Sequence, residues 1–173
     1  MHTQLEHHQH QGGAAQYALC ILAHDLDDPM NIGSLFRMAD ALGVAKIYLS
    51  GSSPTPPHAK IKRTSRSAEK YVAWEYAPQA LPLLEQLRRD GWRIVCLEIT
   101  SASIPLREFA IAPGDKICLI PGSENSGVCQ TLLDAADVAL HIPMQGQNSS
   151  MNVATACAIA AYDICGKLIP GAA

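Results

Sequence analysis

Three short stretches of this chain carry polar side chains at spacings suited to chemistry on an anionic or nucleotide-like ligand. The first is Asn31-Ile32-Gly33-Ser34-Leu35-Phe36-Arg37. Read as the opening of a helix, it leaves the backbone N–H groups of Gly33 and Ser34 free for an anion. Arg37 then lies one turn on, on the same face, which makes a phosphate or oxyanion site. The competing reading has Asn31 as a plain helix cap and Arg37 as a solvated charge. The second stretch, Pro121-Gly122-Ser123-Glu124-Asn125-Ser126-Gly127-Val128, runs from a strand end through a tight turn into an expected helix. Ligands of open α/β sheets bind outside the carboxyl ends of strands, so a Gly-rich turn there suits a nucleotide-like ligand. An ordinary β-to-α turn with Glu124 near a helix start accounts for it equally well. The third stretch, Ile142 to Val153, is another strand end followed by a polar loop and a small-residue helix, with Ser150 or Asn152 placed to cap that helix.

None of the three is G-x-G-x-x-G, G-x-x-x-x-G-K-[ST] or G-x-S-x-G, so dinucleotide, P-loop and α/β-hydrolase readings lose their main support. A fourth segment, Lys60 to Lys70, packs Lys60, Lys62, Arg63, Arg66 and Lys70 against one opposing charge, Glu69. That suffices for several phosphate contacts. A solvated loop is the alternative. Tyr71 and Trp74, just beyond it, read as core residues rather than base-stacking platforms.

The elements that must position these residues follow from the apolar pattern. Short apolar runs alternate with helical patterns from Ala14 onward, the signature of βαβ units around a largely parallel sheet. Strands are expected over Ala18–Leu22, Lys46–Leu49, Arg93–Leu97, Lys116–Ile120 and Val138–Ile142. Helices are expected over Ile32–Leu42, Pro78–Asp90, Ser126–Ala135 and Val153–Lys167. The run Gly51 to Pro57 excludes regular structure, and with the basic segment it forms the one long loop of the chain.

With 173 residues, 48% hydrophobic and 17% charged, the chain has the apolar content of one globular domain. A net charge of -3 supplies no global basic field, so any nucleic-acid contact must be local. Residues 1–15 carry four of the seven histidines in a polar context and are expected to form a flexible His-rich tail, leaving residues 16–173 as the domain. The six cysteines form no C-x-x-C pair and four lie in apolar runs, which points to reduced thiols in the cytoplasm. No run reaches membrane-spanning length, and no metal site is expected.

Taken in order, the three stretches resemble the signature motifs of the SpoU (TrmH-like) branch of the SPOUT methyltransferases. These are N-x-G-[SA]-x-x-R, [VIL]-x-G-x-E-x-x-G and I-P-M-x-G-x-x-x-S-[LM]-N-V, and the basic segment is similar to the family's R-T-S-x-G-A. Ser67 stands where that segment usually has Gly, and Pro121 where the second motif usually has an aliphatic or small residue. The resemblance covers nearly all of Tyr17 to Ile164 and implies an α/β fold with a mostly parallel sheet flanked by helices and a C-terminal deep trefoil knot.

It further implies S-adenosyl-L-methionine (AdoMet) as cofactor, bound by Leu97, Gly122, Ile142 and Met151, with Glu98 beside Leu97 at the same strand end. The polar catalytic set would be Asn31, Arg37, Glu124, Ser150 and Asn152. The RNA contacts would come from Lys60, Lys62, Arg63 and Arg66, and the active form would be a homodimer. The implied reaction is methyl transfer to a ribose 2′-hydroxyl of RNA, tRNA ahead of ribosomal RNA because a compact core with no appended RNA-binding domain suits a small folded substrate. Arg37 has been viewed in such families as the base. A guanidinium is always protonated, so Arg37 is expected instead to bind phosphate and the developing 2′-oxyanion, with Glu124 orienting it or relaying a proton. Two other classes compete: a catalytically silent knotted RNA-binding protein, opposed by retention of the polar set, and a nucleotide-dependent oxidoreductase or kinase, which lacks its phosphate fingerprint.

Overall fold

A computed structural model describes Thr3 and residues 17–169. The expected His-rich tail therefore lies outside the described residues. The described chain builds seven parallel strands: β1 (Tyr17–His24), β2 (Val44–Ser50), β3 (Trp74–Ala77), β4 (Trp92–Leu97), β5 (Ile104–Pro105), β6 (Lys116–Pro121) and β7 (Val138–His141). They pair in the order β3-β2-β1-β6-β4-β7-β5. Five helices complete it: α1 (Pro29–Leu42), α2 (Ala59–Ser65), α3 (Ala80–Arg89), α4 (Gln130–Asp134) and α5 (Val153–Leu168). The expected α/β class with a mostly parallel sheet between helices is what forms.

Two-residue periodicity explains the layering. In β1, Leu19, Ile21 and Ala23 join a core shared with α1 and α5, whereas Cys20 and Leu22 join a second core shared with α3. In β6, Ile117 and Leu119 face the first core and Cys118 and Ile120 the second. A central parallel strand must be apolar on both faces, which is why these strands read as unbroken apolar runs. Among the described residues no helix is long and apolar enough to cross a membrane.

The structure corrects several boundaries. Helix α1 begins at Pro29, three residues before the expected start, because Asp28 caps it through a 2.9 Å hydrogen bond from the Met30 N–H and Pro29 suits the first helical position. The amides of Gly33 and Ser34 therefore lie inside the helix, and the anion site expected there does not form. Gly33 is instead a packing residue: a Cβ on it would lie 2.8 Å from the Ile61 carbonyl oxygen and 2.8 Å from the Thr64 Cβ. The basic segment is helix α2, not a loop, with Ile61 and Ser65 buried against α1. One strongly apolar residue in that segment leaves too weak a period to read. Strands β3 and β5 were not expected; both lie at the sheet edges and are only four and two residues long. Tyr71 is 78% exposed and so is not a core residue, whereas Trp74 is partly buried and meets Phe36 edge to face, ring centroids 6.4 Å apart.

Candidate active site

The carboxyl ends of β4, β6 and β7 open into one cleft of about 260 Å³, just under the range of small-molecule sites (about 300–1,000 Å³). All four residues expected to bind a cofactor, Leu97, Gly122, Ile142 and Met151, line it. A recess of about 440 Å³ shares Glu124, Ser149, Ser150, Met151 and Val153 with the cleft and adds Asn148 and Asn152. The cleft thus has an apolar inner wall and a polar lip.

The turn between β6 and α4 is a closed loop rather than the expected helix start. The Ser123 N–H donates to the Gly127 carbonyl at 2.9 Å and the Gly127 N–H returns to Ser123 at 3.2 Å. Gly127 has φ +66°, a conformation in which a Cβ is strained. Helix α4 begins only at Gln130. The arc holds Glu124 at its exposed tip, so Glu124 is a turn residue and not a helix-capping one.

Three residues from the three stretches meet at the lip. The Asn31 side-chain amide donates to Glu124 Oε1 at 2.6 Å, and Asn31 Oδ1 accepts from Asn152 Nδ2 at 3.0 Å. Asn152 in turn caps α5, its Oδ1 accepting from the Thr155 N–H at 3.1 Å. Every polar atom of Asn152 that faces protein is used, one for the cap and one for the link. Asn31 is 8% exposed, so its amide is held in place by these partners rather than by water.

Arg37 stands apart. It is exposed, and among the described residues it enters no ion pair and no hydrogen bond with Glu124, whose partner is Asn31. The expected orientation of Arg37 by Glu124 is not formed in this chain. Ser150 is exposed at the lip, with no hydrogen-bond partner among the described residues. Lys60, Lys62, Arg63 and Arg66 are all exposed, with Ile61 and Ser65 turned inward.

The resemblance placed Glu98 beside Leu97 at the cofactor end of β4, but its bond to the Val128 turn and the roles of Gly127 and His141 were not read from the sequence. Glu98 lines the cleft and its Oε2 accepts the Val128 N–H at 2.9 Å. His141, also in the cleft lining, hydrogen-bonds through Nδ1 to the Ser103 hydroxyl at 3.0 Å. The local signal for Glu98 and His141 was position, one residue beyond and at the carboxyl end of a strand, and for Gly127 its place in the Gly-rich turn after β6. Behind Glu98, burial drives the Cys96 thiol up to about 12, with negative charge at Cys129 and Glu98 adding to the effect.

Comparison with known proteins agrees with this arrangement. The model of the SpoU rRNA Methylase family matches residues 18–162. A 23S rRNA (guanosine(2553)-2'-O)-methyltransferase of Bacillus subtilis is 29% identical over 147 residues, which cover 84% of this chain and 57% of that protein. A tRNA (guanosine(18)-2'-O)-methyltransferase of Mus musculus is 28% identical over 157 residues, covering 90% of this chain and 10% of that protein. The chain thus spans less than two thirds of the length of either relative. Among solved structures, the A. aeolicus TrmH/SpoU tRNA modifying enzyme superposes with a TM-score of 0.77 at 26% identity over 88% of this chain and 76% of that one. An AdoMet-bound rRNA methyltransferase of Sinorhizobium meliloti shares the fold, with a TM-score of 0.81 at 23% identity over 87% of this chain and 57% of that one. The matched segment contains the sheet, the cleft and all three residues of the Glu124–Asn31–Asn152 link, and the chain belongs to the SpoU rRNA Methylase family.

Proposed function

We propose that this protein is an AdoMet-dependent RNA 2′-O-ribose methyltransferase, with tRNA as the favoured substrate and ribosomal RNA as the alternative. The observation that carries the proposal is the hydrogen-bonded link Glu124–Asn31–Asn152, which gathers side chains from three separated motifs beside a ligand-sized cleft. Relatives named for tRNA and for rRNA methylation both match, so the assay must offer both substrates.

The cleft suits AdoMet in its donor set. Leu97, Ile142 and Met151 offer apolar surface to an adenine ring, the backbone of the Gly122 turn offers hydrogen bonds, and the carboxylates of Glu98 and Glu124 favour a cationic ligand. When bound, the cofactor supplies an electrophilic methyl group on a sulfonium. The chain's own task is to place a ribose hydroxyl in line with it and to carry the charge that develops on the oxygen. Ser150 and Asn152, at the lip, hold the ribose side. Arg37, which pairs with no acid among the described residues, binds substrate phosphate and stabilises the oxyanion, since a guanidinium does not take up a proton; the hydroxyl proton passes to the Glu124 carboxylate at the lip. Asn31 keeps Glu124 and Asn152 in register. The exposed basic side chains Lys60, Lys62 and Arg63 of α2 and Arg66 at its C-cap hold the RNA backbone through phosphate contacts.

We also infer a homodimer and the C-terminal deep trefoil knot, with residues 16–173 as one methyltransferase domain. Helix α5 leaves Ile159 and Tyr162 exposed three residues apart on one face, and Ile169 just past its end is exposed too, apolar surface of the kind that an interface covers. The knot is supported by strand order: β6 follows β4 in sequence yet lies between β1 and β4, and the chain then returns to pack α5 beside α1. Five buried free thiols suit the reducing cytoplasm.

The test is to incubate purified protein with methyl-labelled AdoMet and unmodified total tRNA or rRNA, then map nuclease-resistant 2′-O-methyl linkages. Label at one ribose position is the expected result. No label in either pool, with AdoMet binding absent by calorimetry, sinks the proposal; binding without transfer favours the silent RNA-binding reading.

A further inference from the structure

We propose that Glu98 is a positioning residue that locks the Gly122–Gly127 turn and thereby shapes the cofactor cleft, a role that rests on the methyl-transfer reading given above. Glu98 is the first residue after β4, and its side chain reaches across to the neighbouring turn after β6. One carboxylate oxygen, Oε2, accepts the Val128 N–H at 2.9 Å; the other, Oε1, accepts the Ile99 N–H at 2.9 Å. Both amides come from loop backbone outside the strand ladders; that of the buried Val128 needs a protein acceptor, whereas exposed Ile99 also meets solvent. A carboxylate accepts on both oxygens at once. A carboxamide accepts on one and turns an N–H donor toward the other amide.

The two glycines exist in this turn to admit that carboxylate. A Cβ on Gly122 would stand 2.8 Å from Glu98 Oε2 and 3.0 Å from the Gly127 Cα. A Cβ on Gly127 would overlap Oε2 outright, and Gly127 holds φ +66°. The carboxylate is therefore seated between the two glycines, where any side chain would displace it. Glycine spacing in the second motif thus has a concrete cause here: both positions pack on one side chain from a different strand. Because the Ser123–Gly127 bridge closes the arc, holding Val128 and Gly127 also holds the Gly122 wall of the cleft.

The consequence is specific to cofactor binding. Gly122 and Glu98 both line the cleft, whereas the basic side chains of α2 lie on another element. Loss of Glu98 should loosen the cleft wall while leaving RNA contacts intact.

Two measurements test this. In protein without ligand, amide exchange at Val128 is followed by NMR in wild type, Glu98→Ala and Glu98→Gln. Exchange at Val128 is expected to speed about tenfold or more in Glu98→Ala, the loss of one charge-assisted hydrogen bond, and less in Glu98→Gln, with core amides of β1 unchanged. Calorimetry and kinetics then read function: the AdoMet Kd and KM should rise about tenfold in Glu98→Ala with the RNA KM unmoved. Gly127→Ala should weaken AdoMet binding less in the Glu98→Ala background than alone, because the overlapping oxygen is gone. Unchanged Val128 exchange overturns the restraint. Faster exchange with unchanged AdoMet affinity, or equal loss of AdoMet and RNA affinity, overturns the positioning role. Wild-type protein that binds no AdoMet overturns the methyl-transfer reading, a failure seen apart from the exchange result.

Discussion

Asn31 and Asn152 lie 121 positions apart, yet Asn152 Nδ2 donates to Asn31 Oδ1 at 3.0 Å while its own Oδ1 caps helix α5. The two jobs use different atoms of one side chain, so substitution can separate them. Asn152→Asp keeps the capping oxygen and loses the donor; it is expected to leave stability within about 0.5 kcal/mol and to lower methyl transfer by at least tenfold. Asn152→Ala loses both and should also cost about 1 kcal/mol in urea unfolding. Equal activity of Asn152→Asp and wild type would show that the link to Asn31 has no part in catalysis.

Asn31→Asp places a carboxylate where an amide now donates to Glu124 Oε1 at 2.6 Å. Two carboxylates at that distance repel, and the Glu124 arc should be driven away from α1. Activity near neutral pH is expected to fall about 100-fold and to recover in part as pH drops and one proton is shared. A flat pH dependence in the mutant would contradict this.

Gly33→Ala sets helix propensity against packing. Alanine favours the helix by about 1 kcal/mol, but its methyl meets the Ile61 carbonyl and Thr64 at 2.8 Å, and overpacking costs about 1–3 kcal/mol. The expected outcome is lower Tm, displaced α2 and weaker RNA binding, with AdoMet affinity unchanged. Higher Tm would mean that α2 yields freely.

Removal of charge from α2 should act through phosphate contacts. Lys62→Ala with Arg63→Ala is expected to weaken RNA binding and to lower the slope of log K against log salt by about 1.4 to 1.8, the value for two lost contacts. An unchanged slope would take α2 out of the RNA interface.

Ser67 occupies the left-handed region with φ +70°, at the position where relatives of this motif are expected to carry Gly. Ser67→Gly relieves about 1–2 kcal/mol of local strain and adds about 0.5–1 kcal/mol of unfolded-chain entropy, so a small net gain of stability is expected in thermal unfolding.

Burial raises the thiols of Cys96 and Cys157 to about 12 and that of Cys165 to about 11, from 9.0. In the native protein these groups keep their protons above pH 9, whereas the unfolded chain releases them there. The unfolded state then binds fewer protons, so stability is full below pH 9 and falls as pH rises through 9 to 12. Cys129, the one exposed thiol of the six, should be the only one alkylated at pH 8 under native conditions.

The sequence by itself determined the parallel α/β class and five of the strands. Unbroken apolar runs such as Ile117 to Ile120 report burial on both faces, and burial is a local property of each run. The family resemblance, rather than any local pattern, named Leu97, Gly122, Ile142 and Met151, and all four line one cleft. Tertiary structure alone decided how these residues are used. Gly33 turned from an anion ligand into a packing contact because α2 lies on it, and α2 was hidden because one apolar residue carries no period. Glu124 found Asn31 rather than Arg37, and Glu98 found Val128, through hydrogen bonds spanning 93 and 30 positions. Such pairings depend on the order in which strands insert into the sheet, β6 between β1 and β4, and no local pattern of residues encodes that order.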